Sequence, residues 1–290
     1  MIYAHEHITI DLAGAKGDPD CRLDDRDAAL EEFRGLARRG VAWIVDQTNR
    51  GMGRNIPYAK ELARKAGLRV LFGAGWYKEP FLPDECYALD QNEMRELMLR
   101  ELRQGIENTS VCASFIGEIG TSADCIHPVE EKIFRAAAQA QLESGCPLCT
   151  HTTLGKLGME QLALFKEYGI DFSRIVLSHI DLSGDLDYML RLLDTGVNIG
   201  FDTIGKADYQ SDDDRVLWLT ALCDRGYAGQ IVLSVDITRK SYYQCKGGPG
   251  YAHLPDHFLP KLRAAGCRAE DIEKMMNRNP RRIYGIPNDN

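Results

Sequence analysis

No apolar stretch in the 290-residue sequence approaches the roughly 18 residues needed to cross a bilayer. Its first residues also lack a basic segment followed by an apolar one. Neither a membrane span nor a secretory signal peptide is therefore expected. Positive charge is short as well: 35 Lys and Arg stand against 43 Asp and Glu, a net charge of −8. Without a broad basic face, non-specific nucleic-acid binding is not expected, though this balance leaves room for a local cationic pocket and an anionic substrate. No second Cys-x-x-Cys joins Cys146-Pro-Leu-Cys149, and the nine cysteines are scattered. That argues against a structural zinc site and for reduced thiols in a cytoplasmic protein. No glycine-rich phosphate loop follows the first apolar run, which counts against an open nucleotide-binding sheet.

What is present is a repeated alternation. Hydrophobic residues make up 44% and charged residues 27%, as in a soluble globular protein. Short apolar runs read as strands at 2–10, 41–45, 69–75, 112–119, 147–150, 175–178, 197–201 and 231–235. Segments of helical spacing follow them at 25–38, 58–66, 92–106, 129–143, 156–168, 185–194 and 212–225, several stopped by a glycine such as Gly67, Gly169 or Gly196. Closing helices are expected at 255–265 and 269–277. Near-continuous apolar strands alternating with amphipathic helices predict a parallel sheet covered by helices. Eight such units in this length fit a closed α/β fold, the (β/α)8 or TIM barrel, with an extra C-terminal helix. No linker or composition shift divides residues 1–290, so a single domain is expected.

Metal-competent residues fall where these strands end. Alternate residues of a strand share a face, so His5 and His7 project together, about 7 Å apart at the backbone. Glu118 lies on the fourth strand, His151 and His179 end the fifth and sixth, and Asp236 ends the eighth. In a barrel these ends converge on one face. Four imidazoles and two carboxylates suit two divalent ions, with zinc the first expectation and manganese, cobalt or nickel compatible.

The ordered motifs Ala4-His5-Glu6-His7, Thr48-Asn49-Arg50, Met52-Gly53-Arg54-Asn55, Glu118-Ile119-Gly120-Thr121-Ser122, Thr150-His151-Thr152, Phe201-Asp202-Thr203-Ile204-Gly205-Lys206 and Ser234-Val235-Asp236-Ile237-Thr238-Arg239 run nearly end to end. On them the chain resembles the phosphotriesterase family of the amidohydrolase superfamily. That resemblance implies that His5, His7 and Asp236 hold the more buried metal and His151 and His179 the more exposed one, with the strand-four residue bridging them. Most relatives use a carboxylated lysine there. Glu118 is shorter, and its use would remove any need for bicarbonate to assemble the site. The implied reaction is hydrolysis by a metal-activated hydroxide, with Asp236 as the catalytic proton acceptor.

Specificity would reside in the loops. Trp76, Tyr77 and Phe81 offer an apolar wall after the third strand. Arg50, Arg54, Lys206, Tyr209, Arg239 and Lys240 follow strands two, seven and eight, and several cations at one mouth suggest a phosphate or carboxylate on the substrate. Asp181 reads either as a proton relay beside His179 or as a helix start, and Gly247–Tyr251 as a lid or a plain turn. His127, His253 and His257 fall outside the metal set. The leading expectation is a lactonase or esterase acting on a small anionic lactone, a sugar acid or phosphosugar. A phosphoesterase of phosphotriesterase type and a metal-holding binding protein with weak catalysis are the alternatives. The expected partner is a small-molecule substrate, and a homodimer is compatible.

Overall fold

Eight strands assemble in sequence order into one parallel sheet: β1 Ile2–Glu6, β2 Trp43–Asp46, β3 Arg69–Ala74, β4 Phe115–Thr121, β5 Leu148–Thr152, β6 Ile175–Ser178, β7 Asn198–Phe201 and β8 Ile231–Leu233. The structure is a computed structural model that describes residues 1–288, so Asp289 and Asn290 of the expected domain lie outside the described residues. The helices between the strands are α1 Arg26–Arg38, α2 Ile56–Ala66, α3 Gln91–Arg103, α4 Pro128–Ser144, α5 Gly158–Glu167, α6 Leu186–Leu193 and α7 Asp212–Asp224, with α8 Leu259–Ala264 after β8. This is the expected (β/α)8 barrel.

Local chemistry accounts for the helix ends. Asp90 and Glu93 form a reciprocal capping box at the start of α3. Asn55 caps α2, and Gly67 ends it in the left-handed conformation that glycine adopts without strain. The helix expected from Lys156 begins instead at Gly158, because Leu154 and Leu157 have φ of 56° and 61°.

The chain buries apolar residues in two places. A large cluster fills the space between sheet and helices. A second lies inside the barrel, where Ile2, Ala4, Val45, Phe115, Cys149, Val176 and Val232 meet Ile283 and Tyr284. The extra C-terminal helix, Asn279–Tyr284, thus plugs the barrel beneath the site, and the Tyr284 ring meets Phe115 edge-on at 5.4 Å.

The seam between β1 and β8 is closed by side chains. Ladders run from β1–β2 through β7–β8. At the seam the fully buried Glu6 carboxyl group accepts from Ser234 Oγ at 2.7 Å, Val235 N at 2.9 Å and Ile237 N at 3.4 Å, while His5 N–H donates to Ser234 Oγ at 3.2 Å. Burial pushes the Glu6 carboxyl up to about 8, against the opposing pull of these hydrogen bonds. Strand one therefore stops at Glu6 rather than Ile10, since its end is tied to β8 by a side-chain carboxyl group instead of a continuing ladder.

Candidate metal centre

The barrel places all six expected ligands around one point. His5 lies within β1 and His7 just beyond it, Glu118 is mid-β4, His151 is in β5, His179 follows β6 and Asp236 follows β8. All are nearly buried, His151 being the most open with 13% of its side chain exposed. His179 and Asp236 have φ of 62° and 50°. A left-handed backbone at two non-glycine residues costs energy, and such strain is common where a side chain is held for chemistry.

Glu118 occupies the middle. Its Oε1 lies 3.3 Å from His7 Nε2, and its Oε2 lies 3.2 Å from His151 Nδ1, 3.5 Å from His5 Nε2 and 3.6 Å from His179 Nε2. The two oxygens are thus divided between the His7 side and the His151–His179 side. Asp236 Oδ1 lies 3.2 Å from His7 Nε2 and 3.7 Å from His5 Nε2. Two overlapping groups could each hold an ion, His5 with His7 and Asp236, and His5 with Glu118 and His179.

The donor set fits divalent metals. His5 Nε2 and Asp236 Oδ1 are buried and lack any hydrogen-bond partner, which is costly unless something else satisfies them. The opposite edges of three imidazoles are fastened: His5 Nδ1 to Ser178 Oγ at 3.0 Å, His7 Nδ1 to Thr48 Oγ1 at 2.9 Å and His179 Nδ1 to Asp202 Oδ1 at 2.8 Å. Asp202 also accepts the His179 backbone N–H at 2.8 Å, and its Oδ2 lies 3.5 Å from His5 Nδ1. Such outer hydrogen bonds aim the free ring nitrogens inward and set the tautomer. The sequence reading passed over Asp202 as a functional residue, although a carboxylate at the end of β7 was a visible signal.

Electrostatics separates three of the imidazoles. Burial works against a charged His7, but the Asp236 and Glu118 carboxylates outweigh it and carry its pKa up to about 10. Burial prevails at His151 and takes it down to about 4, with His179 opposing charge there too. His5 is likewise lowered, mainly by burial. At Asp236 burial favours the neutral acid, yet the contacting Lys206 ammonium and His7 hold the carboxyl far below its usual range.

A cavity of about 410 Å³ opens over this cluster. His7, Glu118, His151, His179 and Asp236 form its floor, and Tyr77, Phe81, Leu12, Leu154 and Leu182 contribute an apolar wall. Tyr77 Oη approaches the His151 ring nitrogens at 3.2 and 3.3 Å. Of the loop residues expected to meet substrate, Tyr77, Lys206 and Tyr209 line the cavity.

Arg50, Trp76, Arg239 and Lys240 do not, which corrects the expectation for these four. Each has a nearer acid: Arg50 and Trp76 Nε1 bind Glu85, Arg239 binds Asp18 at 2.6 Å, and Lys240 binds Asp24 at 2.9 Å. Arg54 is likewise held by Glu101 at 2.7 Å. Asp181 forms a fully buried pair with Arg215 at 2.7 Å instead of facing the cluster. His127 leads into α4, and His253 pairs with Asp212 at 2.7 Å. Tyr251 is buried and donates to the His7 carbonyl at 2.9 Å, as suits a fixed turn. Two cavity cations were missed from sequence, Lys16 and Lys78. No helix among the described residues is long and apolar enough to cross a membrane.

Comparison with known proteins agrees with this fold. The sequence profile of the Phosphotriesterase family matches residues 1–284. The phosphotriesterase homology protein of Escherichia coli is 41% identical over 281 residues, covering 97% of this chain and 96% of that one. Its crystal structure, with phosphate in the active site, superposes with a TM-score of 0.95 over 98% of both chains. A lactonase from Listeria monocytogenes, 25% identical, gives a TM-score of 0.93 over 99% of this chain and 95% of its own. An N-acetyltaurine hydrolase of Danio rerio is 30% identical over 268 residues, covering 88% of this chain and 76% of its own. With a profile that spans almost its whole length and relatives that share its barrel, the chain belongs to the phosphotriesterase family and is a metal-dependent hydrolase of that family.

Proposed function

We propose that the protein is a binuclear metal-dependent lactonase or esterase acting on a small anionic lactone, a sugar acid or its phosphorylated form. The observation that carries this reading is the joining, in one cavity of about 410 Å³, of five of the six donor residues, with His5 directly beneath them, an apolar wall and three lysines, Lys16, Lys78 and Lys206. His5, His7 and Asp236 would hold one ion and His151 and His179 the other, with Glu118 between them. When bound, divalent ions lower the pKa of a water and polarise a carbonyl or phosphoryl oxygen.

The chain's own residues supply the rest. Asp236 is kept ionised by Lys206 and lines the cavity floor, so its carboxylate is placed to take a proton. The Tyr77 hydroxyl reaches the His151 edge of the cluster and can donate to a substrate oxygen arriving there. Leu12, Phe81, Leu154 and Leu182 exclude water from the approach, which strengthens every charge interaction inside. A five- or six-membered ring fits a cavity of this size.

The related lactonase in Listeria supports a cyclic ester. A second reading, a phosphoesterase, draws support from the phosphate in the active site of the related Escherichia coli structure. The test is a screen of the zinc- or manganese-loaded protein against sugar lactones, their phosphorylated forms, aryl esters and phosphoesters, followed with a pH indicator. The proposal expects the highest kcat/KM on a lactone carrying an anionic group. Turnover of phosphoesters alone would transfer the assignment to the second reading, and tight binding without turnover would make the protein a metal-holding binder.

A further inference from the structure

Three lysines line the cavity, and they are not equivalent. Lys206 is already taken, its ammonium in contact with Asp236 Oδ2. Lys78 is 8% exposed, yet no carboxylate among the described residues lies within ion-pairing distance of it. Its one hydrogen bond is to the neighbouring Glu79 carbonyl at 2.7 Å. Lys16, the last residue of the short helix Ala13–Lys16 after β1, also lacks an acidic partner among the described residues. Both ammonium groups sit over one ring: Lys78 Nζ is 5.2 Å from the Phe81 centroid and Lys16 Nζ 5.8 Å.

That arrangement is unfavourable by itself. An ammonium has three donors and a large hydration energy, and Lys78 has surrendered most of its water for a single carbonyl. A second cation beside it adds repulsion. Burial, the larger effect, together with Lys16, lowers the Lys78 pKa below its ordinary value. The ring face returns only a small part of that cost. An anion between the two lysines would satisfy the remaining donors and remove the repulsion. The same cavity wall leads from them to Tyr77 and the donor cluster.

We propose that Lys78 and Lys16, spaced by the Phe81 ring, form the subsite that binds the anionic group of the substrate, away from the bond that is cleaved. The ligand class is a compact oxyanion, a phosphate, carboxylate or sulfonate, carried on a small polar body. This deepens the hydrolase reading and rests on it for the word substrate, but the anion site is open to test by binding alone.

The experiment is isothermal titration of the metal-loaded full chain with inorganic phosphate, acetate and methanesulfonate in turn. The tightest of the three names the headgroup. For that ion the dissociation constant is expected to rise at least tenfold in Lys78→Met and in Lys16→Met, and to stay within about threefold in Lys78→Arg, which keeps the charge. Circular dichroism and metal content check that each variant is folded and loaded. If Lys78→Met does not fold, Lys16→Met and Lys78→Arg still decide: an unchanged constant in Lys16→Met overturns the proposal. So does wild-type protein that binds none of the three ions, or an ion whose affinity is the same in all variants, held by the metals only. Lactone turnover is not read, so a failed substrate screen and a failed anion site give different results.

Discussion

Asp236 meets three demands at once: a buried oxygen turned toward the imidazole cluster, a partnership with Lys206 and a left-handed backbone. Removing its charge while keeping its shape is therefore the sharpest change at this scale. Asp236→Asn is expected to lower kcat by about 10²–10⁴, the usual worth of a positioned proton acceptor, in initial rates at saturating metal. A loss below tenfold would remove Asp236 from the reaction. Glu6 acts one step back, holding Val235 and Ile237 on either side of Asp236. At about pH 9, above the Glu6 pKa of about 8, the carboxylate only accepts, whereas in Glu6→Gln an amide N–H must face a backbone or hydroxyl donor. A buried mismatch of this kind costs about 1–3 kcal/mol, to be read from urea unfolding against Glu61→Gln, an exposed control. Equal stability of the two variants would mean that the seam is closed by other contacts. His7 carries a pH consequence. In the metal-free protein its pKa stands at about 10, so at neutral pH it holds a proton that a metal must displace. Zinc uptake should therefore release protons and weaken as pH falls. Calorimetry in two buffers of different ionisation heat checks this, and uptake with no proton release contradicts it.

Elements were legible in the sequence where their signals are local. The Asp90–Glu93 box and the glycine stops announce helices, and apolar runs announce strands. Boundaries failed where a distant residue intervenes: strand one ends early because of β8. The same physics divides the site residues. The six expected ligands could be picked out because each lies on a strand or just beyond one, a position the fold itself makes equivalent. The cations could not, because whether an arginine is free depends on acids elsewhere in the chain. Arg50 is neutralised from Glu85, 35 residues on, and Arg239 from Asp18, 221 residues back. Nothing local marked Lys16 or Lys78 as unpaired. Close packing at β4 gives a test at this scale. Gly117 has φ of 146°, and a Cβ there would lie 2.3 Å from the Cys149 carbonyl oxygen, whereas Gly226 at φ of 89° meets nothing within 4 Å. Gly117→Ala should cost more than the roughly 1–2 kcal/mol of left-handed strain expected for Gly226→Ala, as measured by urea denaturation. Equal costs would deny β4 the tight contact with β5 that sets Glu118 in place.

At the scale of the whole molecule, the barrel brings together side chains from residue 5 to residue 236 that no local element could unite. Metal would then act as a brace among β1, β4, β5, β6 and β8 as well as a reagent. Chelation should lower the melting temperature, since ligand at a hundred times its dissociation constant stabilises by about 2.7 kcal/mol; an unchanged melt would separate the cluster from the stability of the fold. The most direct test of the central claim is the number of ions bound per chain, by elemental analysis after zinc loading and gel filtration. The account predicts two in the wild-type protein and close to one when His151 and His179 are both replaced by alanine. Less than one ion per chain in the wild type, or the same number in both proteins, would contradict it.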